Sequence, residues 1–133
     1  MRLEIGAKTT AVAYLHACEQ RVQFIRGLLA AMDEARVDVL AVPTTPIAAP
    51  LIEEEKTFIA GKEYPTRAIL LRLNRPANLA GVPAISLPSG FTPGGLPIGL
   101  QLIGRHTAEP ALLQIGHAFE QLHSRKPAVL PNC

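Results

Sequence analysis

Apolar side chains recur at helical spacing in the first third of the sequence. From Thr9 to about Arg36 they advance by alternating steps of three and four residues, which places them on one stripe of a helix. The stripe consists of Leu15, Cys18, Val22, Ile25, Leu29 and Met32. Thr9 or Thr10 can cap the first turn. The pattern predicts one long amphipathic helix with its stripe, Cys18 and Met32 included, packed in a core.

Shorter apolar runs further along predict strands. Residues 37–42, 84–88 and 98–103 are too short for helices, and Gly94-Gly95 between the last two favours a hairpin. The first run ends in the stiff turn Pro43-Thr44-Thr45-Pro46, because proline fixes φ and lacks an N–H donor. The order of elements predicts an α/β fold, or an α+β fold, with at most three strands.

The remaining segments predict connections and two further helices. Residues 50–65 are polar with little periodicity and predict a solvated excursion. Thr66 to about Asn74 predicts a short helix that ends at Pro76, and residues 78–83 predict a stiff loop in which Gly81 permits positive φ. The inward side chains of that helix are expected to be Ala68, Leu71 and Leu70. A last amphipathic helix is expected from about Ala108, capped by Thr107, with apolar positions Leu112, Ile115, Phe119 and Leu122.

Composition excludes several classes of protein. The 133 residues hold 13 Lys+Arg and 11 Asp+Glu, interspersed, and 48% of them are hydrophobic. Such a chain has enough apolar surface to fold and no basic patch for nucleic acid or an anionic membrane surface. We find no secretory signal and no run of about 20 apolar residues. The two cysteines, Cys18 and Cys133, show no metal-binding spacing, so we expect a cytoplasmic protein without a disulfide or zinc site.

Residue chemistry alone provides no active site. The four histidines lack the spacing of metal or acid/base pairs. Ser86 and Ser89 lack the Gly-x-Ser-x-Gly context of an activated nucleophile, and no glycine-rich phosphate-binding motif occurs. We therefore expect no catalytic residue, no metal and no cofactor in this chain.

Three ordered motifs nevertheless resemble a known family. They are Val-Asp-Val-Leu-Ala-Val-Pro-Thr-Thr-Pro at 37–46, Asn-Leu-Ala-Gly-Val-Pro-Ala-Ile-Ser-Leu-Pro-Ser-Gly at 78–90 and Gly-Leu-Pro-Ile-Gly-Leu-Gln-Leu-Ile-Gly at 95–104. Their order and spacing are similar to the C-terminal part of the amidase signature family. The resemblance implies a mixed β-sheet flanked by helices over residues 1–125, followed by a loose tail at 126–133. It also implies that the chain corresponds to the last third or less of a longer enzyme.

The resemblance implies hydrolysis of carboxylic amides by a Ser-cis-Ser-Lys triad. In the family that triad lies upstream of the part seen here, and this sequence has no Gly-Gly-Ser-Ser-Gly-like stretch. No catalytic residue carries over, and the chain is expected to be inactive alone. What carries over is the lining of the substrate cavity, for which the candidates are Thr44, Thr45 and Asn78.

The sequence leaves substrate and partners open. Members that release ammonia from glutamine for tRNA amidation carry an acidic residue on the short helix before the Asn-Leu-x-Gly loop, where this chain has Leu70 to Leu73. A general amidase acting on a small amide is therefore favoured over the A subunit of a glutamine-dependent tRNA amidotransferase. The partner is expected to be a complementary N-terminal amidase half. The alternative is a non-catalytic remnant that self-associates or binds another protein, because strands taken from a larger sheet leave edges exposed.

Overall fold

Helices stand near both ends of the described chain, with strands and short helices between them. The computed structural model describes residues 2–122, and the expected loose tail at 126–133 lies outside them. The elements in chain order are α1 (Arg2–Ala7), α2 (Ala11–Glu34), β1 (Leu40–Pro43), β2 (Lys56–Ile59), β3 (Lys62–Pro65), α3 (Thr66–Leu70), α4 (Arg75–Ala80), β4 (Ala84–Phe91), β5 (Pro97–Ile103) and α5 (Glu109–Leu122). The expected mixture of helices and strands is confirmed.

Three of the strands form an antiparallel sheet in the order β1-β5-β4. β4 and β5 form the hairpin that Gly94-Gly95 predicted, with Ala84 opposite Ile103 and an irregularity between Pro88 and Gly90. β1 adds to the other side of β5, where Leu40 lies opposite Ile103. β5 is therefore the central strand, and β1 and β4 are the two edges of this sheet.

The sheet carries a buried cluster on each face. Neighbouring residues of a strand point to opposite faces, so Leu102 and Ile103 of β5 belong to different clusters. The first cluster consists of Ala77, Ala80, Val82 and Ile103, with Ile25, Leu28, Leu40 and Val42 packed against it. The second consists of Leu87, Leu102 and Leu112, with Val39, Ile85, Leu100 and Phe119 around it. One face is thus covered by α2 and α4 and the other by α5.

The segment expected to be a solvated excursion contains a second, two-stranded sheet. β2 and β3 pair in antiparallel register, so the prediction of at most three strands is wrong. Ala60 and Gly61, the two turn residues, both have positive φ, 49° and 76°, as a tight two-residue hairpin turn requires. Lys56 and Glu63 also form an ion pair of 2.8 Å. Hydrophobic periodicity did not predict this hairpin, because most of its side chains are exposed and an Ala-Gly turn is a weak sequence signal.

The long helix is confirmed, whereas the burial of its stripe is not. Thr10 caps α2 by accepting a hydrogen bond from the Ala13 N–H, and Met32 is buried. Cys18 is half-buried, and Leu15 and Val22 are 61% and 46% exposed. A helix of 24 residues spans about 36 Å, which exceeds the width of a three-stranded sheet. The first half of α2 therefore extends beyond the core of the described residues.

Residues 66–83 follow the predictions only in part. α3 ends at Leu70, and its most buried apolar side chain is Ile69, while Ala68, Leu70 and Leu71 are half-buried. Part of the expected loop is helix α4, because Pro76 occupies its first turn, where the missing N–H has no intrahelical partner to lose. Gly81 ends α4 with φ 70°, as predicted.

Thr107 does not cap the last helix. Its hydroxyl donates to the carbonyl of His106, and its φ is +63°. Leu112 N–H donates to Ala108 O at the start of α5. The expected helix exists, with Leu112 buried and Phe119 half-buried, while Ile115 and Leu122 are exposed.

Candidate functional site

A cavity of about 390 Å³ lies between α4 and the first residues of β4. Its lining consists of Asn74, Ala77, Asn78, Val82, Ala84, Ile85, Ser86 and Gln101. Asn74, Ala77 and Asn78 follow the i, i+3, i+4 spacing that puts side chains on one face of a helix. Gly81, with its left-handed backbone, turns the chain from α4 towards β4. Local backbone chemistry therefore places a helix face against a strand and leaves a cleft between them.

A pair of hydroxyls stands at this cavity. Thr44 Oγ1 and Ser86 Oγ are 2.5 Å apart, although they are 42 positions apart in sequence. The Thr44 N–H donates to the carbonyl of Gly99 at 2.8 Å, which extends the β1–β5 pairing into the turn. The stiff turn after β1 thus brings Thr44 onto a side chain of the cavity wall.

Gly99 makes room for the hydroxyl pair. A Cβ added to Gly99 would lie 2.5 Å from Thr44 Oγ1 and 3.0 Å from Ser86 Oγ. Such distances are well inside van der Waals contact, so any larger residue here would push the hydroxyls away. Glycine at this position of the central strand is therefore required for the Thr44–Ser86 contact.

Two long polar side chains hold the cavity walls in place. Gln101, 5% exposed, lies opposite Ser86 on β5, and its Nε2 donates to the carbonyl of Leu73 at 3.1 Å. Arg21 of α2 donates from Nε to the carbonyl of Leu79 at 2.6 Å, at the end of α4. A cation at a helix C-terminus also interacts favourably with the helix dipole. The first bond ties the segment just before α4 to the sheet, and the second ties the end of α4 to α2.

The three residues expected from the sequence lie in two places. Asn78 lines the cavity, and Thr44 reaches it through Ser86. Thr45 lines a different cavity of about 240 Å³, and its hydroxyl donates to the carbonyl of Ile47 at 2.7 Å within its own turn. The structure therefore groups Thr44 with the Asn78 cavity and separates Thr45 from it.

Sequence reasoning missed Ser86 as a lining residue. From the sequence, Ser86 was considered only as a catalytic nucleophile. In the structure its hydroxyl contacts Thr44, and it lies opposite Gln101 on the neighbouring strand. The available signal was the expected hairpin: alternation along β4 puts Ser86 on the same face as Ala84. Pairing with the Pro-Thr-Thr-Pro turn depends on long-range register and could not be read from a single segment.

The cavity is polar and carries no charge. None of its eight lining side chains is acidic or basic; the polar ones are carboxamides and a hydroxyl. Within residues 2–122, no group of three or more His, Cys, Asp or Glu side chains could hold a metal ion, and no helix is long and apolar enough to cross a membrane. The arrangement can hold a neutral group through hydrogen bonds, and it presents no acid/base pair.

A sequence profile described as Amidase matches residues 1–113. The chain belongs to the amidase family. Amidase-family membership confirms the resemblance based on the three motifs, and it accounts for the helices that flank a small sheet.

The curated relatives include amidases and a subunit of an amidotransferase. The chain is 37% identical over 130 residues to a putative amidase, AmiD, of Mycobacterium tuberculosis. It is 42% identical over 135 residues to the A subunit of the glutamyl-tRNA(Gln) amidotransferase of a Synechococcus strain. These alignments cover 96% and 95% of this chain and 26% of each relative. The chain therefore spans about a quarter of the length of the curated relatives that it matches.

A solved amidase structure shares the fold of this chain. The TM-score is 0.83 at 28% sequence identity, over 90% of this chain and 27% of the amidase. The structural comparison thus agrees with the sequence comparisons that a similar segment forms about a quarter of a complete amidase.

Proposed function

We propose that this amidase-family chain forms one wall of the substrate cavity of an enzyme that hydrolyses carboxylic amides, and that it is inactive without the remaining three quarters of that enzyme. The observation that carries the proposal is the coverage: nearly the whole chain aligns to only 26% of its relatives. The uncharged cavity with Asn78 and Ser86 supports a role in holding a neutral amide.

The chain's own residues bind and orient in this proposal. Carboxamide and hydroxyl groups such as those of Asn78 and Ser86 can both donate to and accept from an amide substrate. The nucleophile, the bridging serine and the lysine that the resemblance implies belong to the part of the enzyme that this chain does not contain. A neutral lysine there would take the nucleophile's proton through the middle serine, and backbone N–H groups would stabilise the oxyanion.

The surface of the chain supports a complementary amidase part as the partner. The exposed α2 stripe, defined as Val12, Leu15 and Val22, is 78%, 61% and 46% exposed. β1 and β4 are sheet edges within the described residues. Apolar stripes and open edges are normally covered by another element. A covering amidase part would also bring the catalytic residues to the cavity.

Amide hydrolysis tests the proposal directly. We expect ammonia release from benzamide when this chain is joined to the upstream part of its enzyme, and none from this chain alone. The upstream part alone, at equal concentration, is the control. Turnover by the isolated chain would contradict the proposal, as would an inactive complete enzyme tested over a panel of small neutral amides.

A piece of a glutamine-dependent tRNA amidotransferase is the second enzymatic candidate. It is favoured by the 42% identity to the Synechococcus protein. The exposed or half-buried residues 70–73, Leu-Leu-Arg-Leu, offer no carboxylate to a substrate ammonium group. The same assay with glutamine in place of benzamide distinguishes the two candidates. A general amidase should release ammonia faster from benzamide, and an amidotransferase subunit faster from glutamine.

A non-catalytic module that self-associates or binds another protein is the remaining candidate. It is favoured by the exposed α2 stripe and the open sheet edges, which a second copy could cover as well as an amidase part. Full amide hydrolysis by the joined enzyme would contradict it.

A further inference from the structure

The hydroxyl pair at the cavity has a binding capacity that its own contact does not use. We infer that Thr44 and Ser86 act as one unit that donates a hydrogen bond to the carbonyl oxygen of a neutral ligand in the Asn78 cavity. The inference rests on the proposed function in one respect, namely that this cavity receives the amide substrate. It assigns Ser86 a binding role rather than a nucleophilic one.

The number of protons in the pair leads to this inference. Each hydroxyl carries one proton and two acceptor lone pairs. The 2.5 Å contact uses one of the two protons. Within residues 2–122, neither Thr44 Oγ1 nor Ser86 Oγ makes another hydrogen bond. One proton of the pair is therefore free for a third group.

Of the two hydroxyls, Ser86 is the one that can donate its proton to a ligand in the cavity. Ser86 belongs to the cavity lining, whereas Thr44 meets the cavity only through Ser86. With Thr44 as donor to Ser86, the Ser86 O–H remains available to the cavity. A hydroxyl that accepts one hydrogen bond becomes a stronger donor of the next, because the bonds polarise one another. Thr44 is then a positioning residue for Ser86.

The chemistry of the walls defines the ligand. A carboxylate or an ammonium group would need a charged partner in a partly enclosed cavity, and the eight lining side chains carry no charge. A carbonyl oxygen needs only a donor. Ala77, Val82, Ala84 and Ile85 supply apolar walls for the carbon atoms next to that carbonyl. The ligand class is therefore a neutral amide or ketone with an apolar substituent.

Ligand-observed ¹⁹F NMR on the complete enzyme tests the inference without requiring turnover. The probes are 4-fluoroacetophenone and 4-fluoro-α-methylstyrene, which have similar shape but only the first of which has a carbonyl acceptor. We expect the wild type to bind the ketone more tightly than the alkene. Because one net hydrogen bond is at stake, Ser86→Ala and Thr44→Val should each lower that preference about 2- to 10-fold. The double variant should lower it no further than Ser86→Ala alone.

Matched variants separate the pair from general disturbance of the strand. Ser89→Ala on the same strand removes a hydroxyl that donates to the Ile98 carbonyl, and it should keep the wild-type preference. Gly99→Ala should reduce the preference by separating the hydroxyls, whereas Gly94→Ala, where a Cβ would meet only Thr92 Oγ1 at 3.8 Å, should not.

The outcomes are decisive in both directions. A wild type without ketone preference, a Ser86→Ala variant that retains it, or an equal loss in Ser89→Ala would overturn the inference. Failure of the proposed function appears separately, as a complete enzyme that does not hydrolyse amides, because the binding preference is measured without turnover.

Discussion

Leu112 and Leu113 are neighbours in α5 with opposite surroundings. Leu112 is 3% exposed and packs with Leu87 and Leu102, whereas Leu113 is 63% exposed. Gly116, one turn later, lets the helix approach the sheet, since an added Cβ would lie 3.3 Å from Leu87 Cδ2. Substituting Leu112 and Leu113 in turn therefore measures how much core packing contributes to the free energy of unfolding, with both positions in one helix.

We expect Leu112→Ala to lower the free energy of unfolding by about 2–5 kcal/mol, because it leaves a cavity in a packed cluster. Leu113→Ala should change it by less than about 0.5 kcal/mol in the isolated chain. Urea denaturation followed by circular dichroism measures both. Equal losses in the two variants would show that α5 does not pack on the sheet through Leu112.

The residues of the candidate site were predictable to different degrees. Asn78 and Thr44 came from motifs that resemble a family, and the structure places both at or next to one cavity. Alternation along β4 could place Ser86 on one face of the strand, but its contact with Thr44 is visible only in the structure. Local patterns cannot supply such contacts, because they join residues 42 positions apart.

At the scale of elements, helix ends carry information that periodicity does not. α2 and the β4–β5 hairpin were predictable because their signals lie within the segment. α4 was not, because Pro76 resembles a stop signal although it stands in the first turn of a helix. The β2–β3 hairpin was missed because surface pairing leaves no apolar alternation to detect. Leu15 and Val22 were predicted to be core, because the apolar pattern of a helix does not show which element covers it.

Two glycines at different places in their helices should respond in opposite ways to the same substitution. Gly81→Ala should lower the free energy of unfolding by about 1 kcal/mol, because alanine is strained at φ 70°. Gly27→Ala, inside α2 with nothing within 4 Å of an added Cβ, should raise it by about 0.5–1 kcal/mol. Thermal unfolding monitored by circular dichroism measures both shifts, and a stabilising Gly81→Ala would contradict the left-handed helix end.

The molecule as a whole exposes apolar surface on more than one element. Besides the exposed α2 stripe, Leu51 and Ile52 in the segment before β2 are 80% and 95% exposed. Isolated apolar side chains are normal on a protein surface, whereas a stripe on one helix indicates an interface. These exposures agree with a chain that is about a quarter of its relatives.

We expect the isolated chain to self-associate, because the exposed α2 stripe lacks its cover. Leu15→Lys should shift the mass measured by light scattering towards that of the monomer. Ala17→Lys, which adds the same charge to an exposed position of the same helix, should leave the mass unchanged. A wild-type chain that is monomeric at high concentration would contradict this expectation.

The strand order of the three-stranded sheet also bears on the order in which its strands pair during folding. β4 and β5 are joined by a short turn and can pair within microseconds. β1 must wait for a strand more than 60 positions further along the chain, since Leu40 pairs with Ile103, and closing so long a loop costs entropy before any contact is gained. On the ribosome, β1 and its Pro-Thr-Thr-Pro turn therefore emerge long before their partner. We therefore expect the Thr44–Ser86 contact, which joins residues 42 positions apart, to be among the last to form during folding.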